Sequence, residues 1–189
     1  MSNQVENAMA STPDVAALKE CGSCMLCCKL FPIKFFDKPA GKWCVHAKPG
    51  TGCSIHESRP NVCRMFFCEW ATNADLGDNW KPDKAKFFIY MPTPTQYSVV
   101  VEPSAPNAWK EPQYYSVIKL IASDFTERGG VFIVSIGLRR IVVLPDRDED
   151  LGTNLGGRMV FVLKHATPQG FQYEVKIGDV PPEQPQELV

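Results

Sequence analysis

From residue 69 to residue 189 the chain contains no cysteine, and before residue 21 it contains none either. Its eight thiols are thus confined to one stretch, which excludes a disulfide framework spread through the whole fold. An excess of charge is missing too, since 20 Lys and Arg face 21 Asp and Glu over 189 residues. So weak a field draws neither a phosphate backbone nor an anionic bilayer, and no nucleic acid and no membrane is expected as a partner. No run approaches the ~18 consecutive apolar residues of a membrane span. The most apolar stretch, VFIVSIGLRRIVVL, is interrupted by Arg139 and Arg140. The first twenty residues, MSNQVENAMASTPDVAALKE, lack the basic start and apolar centre of a secretory signal. Together these absences predict a soluble, cytoplasmic protein.

Cytosolic thiols are kept reduced, so eight cysteines between Cys21 and Cys68 call for an explanation other than disulfides. Thiolates are soft ligands that favour zinc, iron-sulfur clusters and copper(I), and a C-x2-C spacing turns two sulfurs toward one metal from a short loop. Cys21 with Cys24, and Cys24 with Cys27, give two overlapping pairs of this kind. On a continuous helix, positions 21, 24, 27 and 28 would share a face about 120° wide. The adjacent Cys27 and Cys28 diverge on either a helix or a strand, which suggests that they serve two metals. Cys44, Cys53, Cys63 and Cys68 would complete sites begun by the first four, as two four-thiolate sites or around one polynuclear centre. Zinc or iron is the expected cofactor, with an iron-sulfur cluster as one form the iron could take; the alternatives to a metal-binding protein of this kind are an iron-sulfur redox or transferase component and an interaction scaffold whose zinc only stabilises the fold.

Charge agrees with an anionic centre inside this segment. Seven Lys and Arg against three Asp and Glu give residues 21–70 a net charge of +4. A four-thiolate zinc site or an oxidised four-iron cluster carries a formal minus two, so two of them would neutralise the segment. Two plainer readings compete: buried thiols acting as small hydrophobes, and a disulfide-exchange pair at Cys21 and Cys24. Repeated x2 spacing argues against the first, and the lack of a preceding thioredoxin-like strand argues against the second. His46 and His56 stand near cysteines, but with eight sulfurs available they are expected beside the centre or on the surface.

The chain divides at a composition change. Residues 1–18 are expected to be a disordered leader, 19–72 the cysteine-cluster module, 83–180 an α+β domain, and the Pro-rich 181–189 a disordered tail. The module is poor in aliphatic residues, so metal is expected to stabilise its fold. In the second part, KFFIYM and YSVVVE form a hairpin around MPTPTQ, and PQYYSVIKLIASDFTERGG carries Tyr114, Val117, Ile118, Ile121 and Phe125 at helical spacing. VFIVSIG with LRRIVVLP, and RMVFVLKHA with FQYEVKIG, read as two further strand pairs. Strands flanking one long helix argue for an α+β fold with a mainly antiparallel sheet. PDRDED reads as a solvated acidic loop, as do the surroundings of Asp124 and Glu127.

The motif CGSCMLCC, followed by GC near CSIHESRPNVCRMFFCEW, resembles the cysteine-cluster family named for its CxxCxxCC motif, described as a zinc- or iron-chelating domain. The likeness spans Cys21 to Trp70 and includes Arg59, Pro60, Cys63 and Phe67 to Trp70. It implies metal chelation by the matching cysteines, while His56 stands where an aromatic residue is expected. A flagellin lysine methylase is similar in carrying this cluster, which leaves an enzyme role open. No catalytic residue is identifiable, however: LGTNLGG lacks the G-x-G-x-x-G order, and the C-x3-C-x2-C spacing of radical S-adenosylmethionine enzymes is absent. Phe31, Phe35, Phe36, Trp43, Phe66, Phe67 and Trp70 are expected to form the module's core and to keep water from its centre.

Overall fold

A computed structural model describes residues 19–180, so the expected leader at 1–18 and tail at 181–189 lie outside the described residues. The cysteine segment is built of short pieces. They are α1 (Leu26–Leu30), a two-stranded ribbon of β1 (Ala47–Lys48) and β2 (Gly52–Cys53), α2 (Asn61–Arg64) and α3 (Glu69–Thr72). Few aliphatic side chains are on hand, and those of α1, Leu26 and Leu30, are one turn apart and buried together.

The joint expected at 72–82 is ordered. A 3-10 turn over Asp78–Trp80 leads into α4 (Pro82–Ala85), whose Pro82 occupies a first-turn position where a missing N–H costs nothing. Trp80 is buried against Phe87 and Tyr114, with ring centroids 5.9 and 4.9 Å away.

Seven strands and one long helix follow: β3 (Phe87–Thr93), β4 (Gln96–Val101), α5 (Pro112–Glu127), β5 (Val131–Ile136), β6 (Arg139–Val143), β7 (Asp148–Gly152), β8 (Met159–Thr167) and β9 (Gly170–Gly178). The sheet order is β3-β4-β5-β6-β7, with β8 and β9 as a separate antiparallel ribbon. Every pair is antiparallel except β4 with β5, where α5 supplies the crossover that parallel neighbours require. The fold is therefore α+β with a mainly antiparallel sheet and one long helix.

The sheet has two buried faces, which is why its central strands read as continuous apolar runs. Register places Ile89, Val99, Val134 and Ile141 on one face, packed with Ile118 and Ala122 of α5. The opposite face carries Tyr90, Ser98, Ile133 and Val142. There the β8–β9 ribbon covers Ile133 and Val142 with Val160 and Tyr173, while Phe31 and Phe66 of the cysteine segment pack on Phe88 and Tyr90.

Two sequence expectations are corrected. MPTPTQ is not all turn, because β3 continues through Pro92 to Thr93; the ladder register shifts between Tyr90 and Thr93, and that irregularity accommodates a residue with no N–H to donate. PDRDED is not all solvated loop. Asp148 to Asp150 enter β7, where main-chain pairing with β6 compensates for poor strand propensity. Asp148 itself is largely enclosed, accepting from the Tyr115 hydroxyl at 3.0 Å and facing the Lys110 ammonium at 3.2 Å.

A candidate metal centre in the cysteine segment

The four leading cysteines do not share one helix face, because α1 begins only at Leu26. Cys21 and Cys24 sit in a turn closed by the Cys24 N–H donating to the Cys21 carbonyl at 2.9 Å. Gly22 makes that turn possible with a φ of +54°, a left-handed conformation costly for other residues. Cys27 and Cys28 lie on α1.

The remaining thiols arrive from separate loops. The Cys44 N–H donates to the Cys28 carbonyl at 3.2 Å, and the Cys44 carbonyl accepts from Ala47 at 3.0 Å. Ala47 in turn pairs with Cys53 across the β1–β2 ribbon. Gly52 keeps this ribbon close to the first turn: a Cβ there would stand 3.2 Å from the Gly22 carbonyl oxygen. Cys63 lies on α2 behind Pro60, and Cys68 precedes α3, its carbonyl accepting from Ala71 at 2.8 Å.

All eight cysteines line one cavity of about 420 Å³, within the ~300–1,000 Å³ span of ligand-binding sites. His46, His56 and Arg59 line it as well, and Phe31, Phe66, Phe88 and Tyr90 form an aromatic wall. All eight thiols are free of disulfides. Among the described residues, no three Cys, His, Asp or Glu side chains converge tightly enough to hold an ion as they stand.

The thiols sense one another electrostatically. Burial pushes the Cys24 thiol up to about 11 and raises Cys21, Cys63 and Cys68 as well. Neighbouring thiolates add to the rise: those of Cys28, Cys44 and Cys53 at Cys63, and that of Cys21 at both Cys24 and Cys68. Cys27 holds its proton because it donates to Cys28, whereas Cys28, accepting that bond and facing the charges of Lys38 and Arg59, falls to about 7.

Lys38 was not recognisable in the sequence as part of this site. Its side chain is buried, only 7% exposed, and its ammonium donates to the carbonyls of Lys29 (3.0 Å), Phe31 and Pro39 (3.0 Å). The loop that delivers it is pinned by paired main-chain bonds between Ile33 and Lys38 and turns through Asp37 at a φ of +49°. Nothing in a lone Lys between Asp and Pro signals such a fold.

Of the aromatic residues expected around the centre, Phe31, Phe36, Phe66 and Phe67 line the cavity, but Phe35 and Trp43 are 70% and 43% exposed. In a segment this small there is too little interior to enclose them all. Trp70 is buried away from the cavity, with the Lys19 and Lys81 ammonium groups 5.4 and 5.3 Å from its ring centroid. Arg59 donates from Nη1 to the His56 carbonyl at 2.9 Å rather than to a carboxylate or a sulfur.

The chain matches no family model, and no curated protein or solved structure matches it significantly. The likeness to the cysteine-cluster family rests on its motif residues alone.

Proposed function

We propose that this protein binds zinc or iron through Cys21, Cys24, Cys27, Cys28, Cys44, Cys53, Cys63 and Cys68. One observation carries the reading: six separate local structures deliver every cysteine of the chain to the wall of a single cavity. Thiols packed as inert hydrophobes would have no reason to gather there, and soft sulfur donors suit zinc or iron best.

Lys38 supports the reading independently. A buried ammonium needs a compensating anion, yet among the described residues no carboxylate pairs with it. Burial lowers the Lys38 pKa, and the groups whose negative charge would counter that are the sulfurs of Cys44, Cys28 and Cys27. Metal-bound thiolates would supply that charge. When bound, the metal would serve as a cross-link between loops that share few apolar contacts, and binding would be coupled to their folding. A reducing, cytoplasmic setting suits such thiols.

An iron-sulfur centre is the second reading, favoured by the size of the cavity and by the aromatic wall that would shield a cluster from water. Elemental analysis and an absorption spectrum of anaerobically purified, untagged protein test both. At least one metal per chain is expected. Broad absorption near ~400 nm selects the cluster, and a colourless zinc-loaded protein selects zinc. Less than one metal per chain with all thiols freely reactive overturns the proposal.

A further inference from the structure

We propose that the mouth of the cysteine-lined cavity is a docking surface for a short acidic segment of a partner protein, one that carries a Leu, Met or Phe anchor. The inference concerns the rim rather than what fills the interior, so it goes beyond the metal-binding reading and stands or falls separately from it.

Residues that line the cavity and are nevertheless exposed mark where it opens. Pro32, His56 and Val62 meet both conditions. Around them the rim is apolar. Met65, which closes α2, follows Val62 at the three-residue spacing that shares a helix face, and both side chains are more than half exposed. Phe35 is exposed as well, packed edge-on at 4.9 Å against Phe36, itself a ring of the cavity wall. Large apolar side chains left in water around one concavity mark an interaction site.

Charge selects the occupant. From residue 31 to residue 66 the cations that reach solvent are Lys34, Lys42, Lys48, Arg59 and Arg64, against only Asp37 and Glu57. Three of them are placed at the mouth. Arg59 lines the cavity, and Arg64 Nε donates to the Arg59 carbonyl at 2.8 Å. Lys34 stands in the turn that carries Ile33 and Phe36 into the cavity wall. Among the described residues none of the five cations forms an ion pair. Carboxylates from a partner would supply what this surface lacks, while an apolar anchor would cover Val62 and Met65.

Other occupants fit less well. A bilayer is gripped by the apolar face of an amphipathic helix and by attraction at range, whereas this mouth is concave and the whole chain has a net charge of -1. A second copy would have to offer free carboxylates, yet its acidic stretch at β7 is engaged internally: Asp146 and Glu149 pair with Arg147, and Asp150 pairs with Arg139. Anionic thiolates inside the cavity would weaken the rim's field at a distance. Contact pairs, formed within the ~10 Å screening length, would persist.

Selection from a library of random peptides about twelve residues long, with the full-length protein as target, tests the proposal. Enriched peptides are expected to combine Asp or Glu with Leu, Met or Phe. Lys34→Glu and Met65→Ser change exposed side chains and leave the core intact, and each is expected to weaken the enriched peptides about tenfold. Arg158→Glu, on the loop that precedes β8, is expected to leave their binding unchanged. Enrichment without acidic residues, or affinity that Lys34→Glu and Met65→Ser leave untouched, overturns the proposal. Cosedimentation with vesicles of phosphatidylcholine and phosphatidylglycerol that Met65→Ser abolishes would overturn it in favour of a membrane contact. Self-association abolished by the same substitution would overturn it in favour of a dimer interface. Protein that selects acidic peptides yet holds no metal keeps this inference and removes the metal-binding reading; protein that holds metal and selects none does the reverse.

Discussion

Tyr115 is only partly exposed, with its hydroxyl donating to Asp148 on β7, and burial together with that carboxylate pushes its pKa from 10 up to about 12. A group whose folded value is raised contributes stability that is complete below the unfolded value and is lost as pH climbs through the folded one. Native stability should therefore fall between pH 10 and about 12. Replacing Tyr115 with Phe should flatten that part of the curve while lowering stability at neutral pH, since Asp148 then loses a donor. Denaturant titrations of both proteins across this range check the point; an unchanged slope in the variant contradicts it. Lys38 illustrates the same scale at the candidate metal centre, where burial lowers its pKa and three carbonyl acceptors hold the ammonium inside a cysteine-rich loop.

Among elements, α5 shows how a helical pattern becomes a packed face. Tyr114, Ile118, Ala122 and Phe125 recur at spacings of three and four, and all are buried. Ile118 is wholly enclosed, whereas Leu120, two residues on, is 72% exposed. Ile118→Ala should cost about 2–5 kcal/mol of unfolding free energy, and Leu120→Ala should stay within about 0.5 kcal/mol. Urea unfolding monitored by tryptophan fluorescence separates the two. Equal effects would mean that the helix packs by another face. The helix also decides sheet topology, because its crossover sets β5 parallel to β4 where the apolar runs alone are silent about pairing.

At the scale of the whole molecule, one apolar core runs from the cysteine segment into the sheet. Leu26, Leu30, Cys68 and Trp70 belong to the same cluster as Phe88, Val99 and Val134. Loss of metal should thus be felt beyond residues 21–70. Chelation is expected to lower the unfolding midpoint of the entire protein and to raise amide exchange in β3 as well as in the loops that carry thiols. Exchange confined to the cysteine segment, with β3 unaffected, would show the two parts to be energetically independent. Among the described residues, no helix is long and apolar enough to cross a membrane.

Local chemistry was legible in the sequence because it is written in neighbours. Periodicity placed α5 and the strand pairs, and the x2 spacing of Cys21, Cys24 and Cys27 marked them as candidate donors. Relations between distant residues were not, since no local pattern encodes them. Strand β7 escaped notice because its acidic residues owe their conformation to pairing with β6, and Lys38 escaped because burial comes from the fold around it. Composition determined that this chain has a concentrated supply of soft ligands. Only tertiary structure decided that Cys28 would meet Cys44, and that Phe88 and Tyr90 would close the cavity from the sheet, because those encounters depend on chain segments brought together by a shared core.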